Sequence, residues 1–134
     1  MKAPQIVVVS IIVKDDKFLL VKRAREPFKD YWGFIGGLAV MNEKFSSDPL
    51  QVSRDEVKCD LQCEFVNSKF YDYSFREKDL SLCLFFYGQI KGTPVISPKY
   101  ISDYKWFSLE EAQKLDLSFE HNEILEKFSE FMSE

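Results

Sequence analysis

The most informative part of the sequence spans residues 37–59 and reads GLAVMNEKFSSDPLQVSRDEVKC. It starts at a glycine, passes the acidic residue Glu43 and ends in a segment that carries the adjacent acids Asp55 and Glu56. Asp48-Pro49 predicts the start of a helix there, because aspartate caps free backbone N–H groups and proline loses nothing in a first turn. Carboxylates gathered on such a helix can hold Mg²⁺ or Mn²⁺ beside a diphosphate.

The flanking sequence predicts strands on both sides of this helix. Runs rich in Val, Ile and Phe indicate strands, and turn residues such as Asp15-Asp16 separate them. Ser108 and Glu111 form a capping box that predicts a short helix, and Ser118 begins a last segment with an apolar helical stripe from Phe119 to Phe131. The predicted strands are Gln5–Lys14, Lys17–Arg23, Leu61–Phe75, Leu80–Ile90 and Tyr104–Phe107. This order of elements predicts an α+β sandwich.

Length and composition narrow the class of protein. A chain of 134 residues predicts one domain, 1–134. The net charge of −4, with no basic block longer than Lys22-Arg23, argues against binding to a nucleic acid polymer. The longest apolar run, Ile6–Val13, is too short to cross a bilayer, so we expect no membrane partner. Three cysteines without metal-type spacing to histidine predict a reduced protein in the cytoplasm.

The order and spacing of these residues resemble the Nudix box, G-x5-E-x7-R-E-U-x-E-E-x-G-U, in which U is a bulky aliphatic residue. Without any gap, Gly37 and Glu43 match the first glycine and first glutamate, and Asp55 and Glu56 match the adjacent glutamates. The resemblance extends beyond the box, to loops found in Nudix enzymes related to ADP-ribose pyrophosphatases. The stretches that carry it are 23–32, 106–111 and 119–125.

The resemblance implies a Nudix-type α/β/α sandwich with a central mixed sheet. It also implies a Mg²⁺- or Mn²⁺-dependent pyrophosphohydrolase that cuts a nucleoside diphosphate linked to another moiety, with a small nucleotide-type substrate such as ADP-ribose. Asp55 and Glu56 would bind the metal, Glu43 would support the cluster or orient water, and Gly36-Gly37 would shape a loop beside the phosphates. A homodimer is left open, since many proteins of this shape pair through sheets or terminal helices.

Three departures from the box bear on activity. Gln51 and Val52 replace the Arg-Glu pair, and Lys58 replaces the late glycine. Because that glutamate completes the metal-binding face in the family, metal binding and turnover are expected to be weakened or lost. The alternative to a hydrolase is therefore a nucleotide-binding or regulatory module without catalysis, and a plain scaffold is the third interpretation.

Residues outside the box have two interpretations each. Arg23 and Arg25 can clamp a phosphate or a ribose by forked hydrogen bonds, or keep a sheet edge soluble. Phe28 and Trp32 can stack on a base, although core packing is the favoured role for Trp32. His121, the only histidine, is expected to be a capping or surface residue rather than a general base.

Overall fold

The computed structural model describes residues 4–41, 44–45 and 48–134. These residues divide into two compact units, the first formed by the described residues of 1–12 and 35–95 and the second by 13–34 and 96–134. The elements are β1 Gln5–Lys14, β2 Lys17–Arg23, β3 Trp32–Gly33, β4 Ile35–Leu38, β5 Val40–Met41, β6 Lys44–Phe45, α1 Pro49–Leu61, β7 Glu64–Arg76, β8 Ser81–Lys91, β9 Ile101–Ser108, α2 Leu109–Gln113 and α3 His121–Met132.

The first unit is a mixed sheet with one long helix. The first part of β1 pairs in parallel with β8, from Gln5 opposite Ser81 to Ile12 opposite Gly88, and pairs antiparallel with β4. β7 runs antiparallel to β8 along its other edge. α1 packs on this sheet, and the buried hydroxyls of Ser10 and Ser53 hydrogen-bond to each other at 2.5 Å, which fixes α1 against β1.

The second unit is built around β2. This strand pairs antiparallel with β9, with β3 and with the last residues of β1. The rings of Phe18 and Phe128 meet edge to face at 6.0 Å and join β2 to α3. Ser108 caps α2 in a full capping box with Glu111, as its sequence predicts.

Most element boundaries agree with the sequence, and the differences have local causes. Leu61 ends α1 and does not begin a strand, because Gln62 takes the left-handed conformation at φ 55° and its N–H closes onto the Lys58 carbonyl. The last helix begins at His121 and not at Ser118, so Phe119 lies outside the predicted helical stripe. Across the described residues, no helix combines the length and hydropathy that a bilayer crossing requires.

Candidate functional site

In the first unit, α1 carries the acidic residues that the sequence analysis selected. The Asp48 carboxylate accepts from the Leu50 N–H at 3.1 Å, so the predicted cap is present. α1 buries one face, made of Val52, Ser53, Val57 and Leu61. The acids lie on the rest of its circumference, where their charges are compatible with solvent or with an ion.

Glu56 lies directly against Gly37 of β4. A Cβ atom added to Gly37 would overlap the carboxyl group of Glu56, so that carboxyl group occupies the space that a side chain would take. At Gly36 an added Cβ would come within 3.2 Å of the Val8 carbonyl oxygen. The expected loop at these glycines is wrong, because both lie in β4 opposite Val8 and Val9. Glycine is needed here for close approach rather than for a left-handed backbone.

The environment of Glu56 favours its protonated form. Burial, together with the negative charges of Asp60 and Asp55, raises the pKa of the Glu56 carboxyl group to about 7 from its ordinary 4.5. A carboxyl group with such a pKa near a glycine strand is a candidate for metal binding or proton transfer.

Asp60 is a further acidic residue near Glu56, and the sequence analysis did not select it. It is half-buried and exerts the larger of the two charge effects on Glu56. The signal was present in the sequence, since Asp60 follows Glu56 by four residues and therefore lies on the same face of α1. The Nudix box ends one residue before Asp60, so the match to the box did not include this acid.

Asp55 occupies a different position from Glu56. Its side chain is exposed and accepts a hydrogen bond from the Gln51 amide at 2.9 Å. Successive residues of a helix point about 100° apart, so the two adjacent acids diverge. Glu56 and Asp60, not the adjacent pair, share the half-buried face.

In the second unit, the arginines that the sequence analysis selected lie on aromatic rings. Arg23 Cζ lies 5.0 Å from the centre of the Phe119 ring, and Arg23 Nε donates to the Pro27 carbonyl at 2.7 Å. Arg25 Cζ lies 4.6 Å from the centre of the Tyr100 ring. Stacking of this kind holds a guanidinium group in a fixed plane.

Phe28 belongs to a group of exposed rings, which we name the aromatic cluster: Phe28, Tyr31 and Phe119. The Phe28 ring centre lies 4.7 Å from that of Phe119 and 5.4 Å from that of Tyr31. All three side chains are more than a third exposed. Trp32, in contrast, is half-buried and packs edge to face on Phe107 at 5.1 Å, which is a packing contact.

His121 differs from the expectation of a surface or capping residue. Its side chain is only 6% exposed, and Nδ1 accepts a hydrogen bond from the Phe34 backbone N–H at 3.0 Å. The two residues are 87 positions apart in the chain, so no local pattern in the sequence predicts this contact.

Comparison with solved structures identifies the architecture. A MutT NUDIX hydrolase from Burkholderia pseudomallei superposes with a TM-score of 0.78 at 20% identity, over 93% of this chain and 98% of that one. The NUDIX domain of Shewanella oneidensis NrtR, solved with ADP ribose, gives a TM-score of 0.81 at 21% identity, over 98% and 90%. The chain has the Nudix fold. The expected α+β class with a mixed sheet is therefore confirmed.

A further similar structure contains a metal ion. It is a bifunctional NMN adenylyltransferase/ADP ribose pyrophosphatase from Francisella tularensis, complexed with AMP and a Mn ion. Its TM-score is 0.72 at 20% identity, over 97% of this chain and 42% of that chain. No protein-family model and no curated protein matches the sequence.

The Nudix fold allows the departures from the box to be located. Val52 is buried in the apolar face of α1, whereas Lys58 is exposed. Arg54, next to Asp55, is exposed and donates to the Ser68 hydroxyl of β7 at 3.3 Å. Glu43 lies outside the described residues.

The donors near Gly37 fit a hard divalent cation, with fewer protein ligands than a full box provides. Carboxylate oxygens are the donors that Mg²⁺ prefers, and Mg²⁺ often uses only one or two of them, with water and phosphate completing the shell. Among the residues with described positions, no group of three or more His, Cys, Asp or Glu side chains forms a metal-binding set. Glu56 and its acidic neighbours can therefore supply part of a coordination shell.

Proposed function

We propose that this protein is a Mg²⁺- or Mn²⁺-dependent pyrophosphohydrolase that acts on a nucleoside diphosphate linked to another moiety, such as ADP-ribose. The observation that carries the proposal is the Glu56 carboxyl group, seated over Gly37 beside two further acids in a Nudix fold. Similar structures were solved with ADP ribose and with AMP and Mn, which supports the ligand class.

Each acid has a role in this proposal. Glu56 holds the metal, and Asp55, which the resemblance also assigns to the metal, joins it by leaving its hydrogen bond with Gln51 and turning toward Glu56. Asp60 adds a negative charge beside Glu56. Glu43 supports the cluster or orients water, and Gly37 lets the Glu56 carboxyl group lie close to β4, on the side from which the diphosphate would approach. When bound, the metal neutralises the diphosphate and makes a water molecule acidic enough to act as a nucleophile at neutral pH.

Taken by itself, the second unit has residues of the kinds that bind a nucleoside. Exposed rings stack on a planar base, and Arg23 and Arg25 lie over aromatic rings, with N–H groups suited to a ribose or phosphate. Phe28→Ala and Phe119→Ala should each weaken binding of adenosine, about tenfold for a lost stacking contact of ordinary strength. Phe75→Ala, which removes an even more exposed phenylalanine ring from β7 in the first unit, is the matched control and should bind as the wild type does.

We further propose that residues 1–134 act as one Nudix-like domain in the cytoplasm. The similarity to the single NrtR NUDIX domain covers 98% of the chain, and the three cysteines, all in the described part of the chain, form no disulfide bond. One cooperative unfolding transition is expected, and two separate transitions would contradict the proposal. Light scattering on the purified protein tests for the homodimer.

The deciding experiment is a turnover assay. Purified protein is incubated with ADP-ribose, NADH and nucleoside triphosphates, with Mg²⁺ or Mn²⁺, and phosphate products are measured. Turnover of at least one substrate is expected, and Glu56→Gln should lower it by roughly a hundredfold or more, since loss of a metal ligand removes several kcal/mol of transition-state stabilisation. Glu64→Gln, which alters an exposed acid on β7, is the control. Unchanged turnover in Glu56→Gln would show that its metal role is wrong.

The second candidate function is nucleotide binding without hydrolysis. Val52 favours it, because a buried apolar side chain stands where the Nudix box has a metal-binding glutamate. Calorimetric binding of ADP-ribose together with no product in the turnover assay would support this module. Neither binding nor turnover would leave only the scaffold interpretation.

A further inference from the structure

His121 holds a tight turn of the second unit through a hydrogen bond that depends on its charge state. The accepting atom is Nδ1, and a ring nitrogen that accepts cannot carry a proton. His121 is therefore neutral in this structure. A protonated ring would present an N–H to the N–H of Phe34, so the bond would be lost in a buried place where neither donor reaches water easily.

The turn consists of Ser118 to His121 and is attached at one end to β3 and at the other to Phe34, the residue that follows β3. At the first end the Ser118 N–H donates to the Trp32 carbonyl at 2.8 Å. At the second end His121 accepts from Phe34, and its own N–H closes the turn onto the Ser118 carbonyl at 3.1 Å. Gly33 lies between these attachments, where an added Cβ would overlap the Ser118 hydroxyl and lie 2.9 Å from His121 Nδ1.

Phe119 is the residue that this turn presents. It lies at φ 53°, in the left-handed region that a bulky residue adopts only when its surroundings impose it. Its ring is 38% exposed and contacts Phe28 and Arg23. The geometry of the aromatic cluster therefore depends on the two attachments of the turn, to β3 and to Phe34.

The described segments on either side of the His121 ring carry few charged side chains. β3 and Phe34 contribute no charged side chain, the turn and α3 contribute Glu120 and Glu123, and both of these are exposed. From β2, Arg23 contacts the far side of the turn through the Phe119 ring. Histidine is the side chain that gains a proton in mild acid. A charged imidazole is disfavoured where His121 is buried, so its protonation opposes the attached form of the turn.

We propose that His121 is a positioning residue, and that its protonation releases the Phe119 turn and weakens base binding by the aromatic cluster. This inference rests on the proposed function, because it assigns acid sensitivity to the same nucleoside-binding residues. His121 itself does not touch the reacting phosphates in this scheme. It acts through the backbone of Phe34 and through the turn that precedes α3.

The test measures adenosine binding between pH 5 and pH 8 in EDTA. Adenosine carries no phosphate, so neither metal binding nor phosphate ionisation contributes to the result. The wild type should bind about tenfold more weakly at pH 5, the factor for one lost hydrogen bond of ordinary strength. His121→Asn keeps an acceptor oxygen that does not titrate, so its affinity should be the same at both values. His121→Ala should bind weakly throughout.

Two further measurements make each outcome decisive. In NMR spectra of the wild type, the Phe34 amide and the Phe119 ring signals should shift with the same midpoint as the His121 ring. Glu123→Gln, an exposed change on α3, should keep the wild-type pH dependence. Equal pH dependence in wild type and His121→Asn, or a Phe34 amide that ignores the titration of the ring, would overturn the proposal. If adenosine binds at no pH, the nucleoside role fails, and the NMR titration alone decides whether His121 controls the turn.

Discussion

Replacing Glu56 with glutamine should make the metal-free protein more stable while it removes activity. In the folded chain, burial and the charges of Asp60 and Asp55 raise the pKa of Glu56 from 4.5 to about 7. At about 1.4 kcal/mol per pKa unit this corresponds to roughly 3 kcal/mol of unfavourable free energy for the ionised form. Because the carboxyl group is only partly buried, solvent screening reduces the figure to about 2 kcal/mol.

The sign of the effect fixes the pH range in which to measure it. A carboxyl group whose folded pKa is raised holds its proton more tightly in the folded state, so folding is favoured in acid. This contribution is fully present below pH 4.5 and is lost as the pH rises through about 7. Urea unfolding of the wild type and Glu56→Gln in EDTA should give similar free energies near pH 4.5 and differ by about 2 kcal/mol at pH 8, with the variant more stable.

A control variant and the addition of Mg²⁺ test whether the stability difference comes from the Glu56 carboxyl group. Glu64→Gln, on an exposed position of β7, should change the unfolding free energy by less than about 0.5 kcal/mol at either pH. Adding Mg²⁺ at pH 8 should stabilise the wild type and not Glu56→Gln, since a ligand that binds only the folded state raises its stability. A wild type and variant whose difference is the same at pH 4.5 and pH 8 would refute the reasoning about burial.

Three other substitutions test neighbouring parts of the structure. Gly37→Ala should displace the Glu56 carboxyl group and lower ADP-ribose turnover at least about tenfold, with an unchanged circular dichroism spectrum; normal turnover would contradict the close contact. Gly33→Ala should lower the free energy of unfolding by about 1–3 kcal/mol, since its Cβ overlaps Ser118, and wild-type stability would mean that the turn moves freely. Val52→Glu should lower the free energy of unfolding in EDTA by at least about 2 kcal/mol, because it buries a charge; an unchanged free energy would mean that this position reaches solvent.

The sequence predicts well those features of the fold that depend on residues close together in the chain. Asp48-Pro49 predicts the start of α1 because capping involves atoms only two residues apart. The strands β1 and β2 follow from the Val- and Ile-rich run of β1, the apolar run FLLV of β2 and the turn between them. These features need no knowledge of distant contacts, and the structure confirms them.

Features that depend on distant contacts are not visible in the sequence. Phe119 fits a helical stripe by spacing, yet it precedes α3 in a left-handed conformation because the turn is attached to β3. The His121 ring accepts a hydrogen bond from Phe34, which lies 87 positions away in the chain. At Gly37 the sequence suggests backbone freedom, and only the position of Glu56 shows that the requirement is space.

The raised pKa of Glu56 helps to distinguish the three proposed roles, which are hydrolase, nucleotide-binding module and scaffold. A half-buried acid with a raised pKa destabilises the folded chain at neutral pH, and Asp60, placed on the same helical face, increases that cost. A scaffold gains nothing from this arrangement, because a neutral side chain over Gly37 would pack without the charge. A bound divalent cation would offset this cost, because it stabilises the ionised carboxylates. It binds most strongly where they are close together and partly withdrawn from water. The pH at which Mg²⁺ begins to stabilise the wild type should therefore follow the pKa of Glu56, near 7. Stabilisation by Mg²⁺ that is equally strong at pH 5 would place the cation elsewhere.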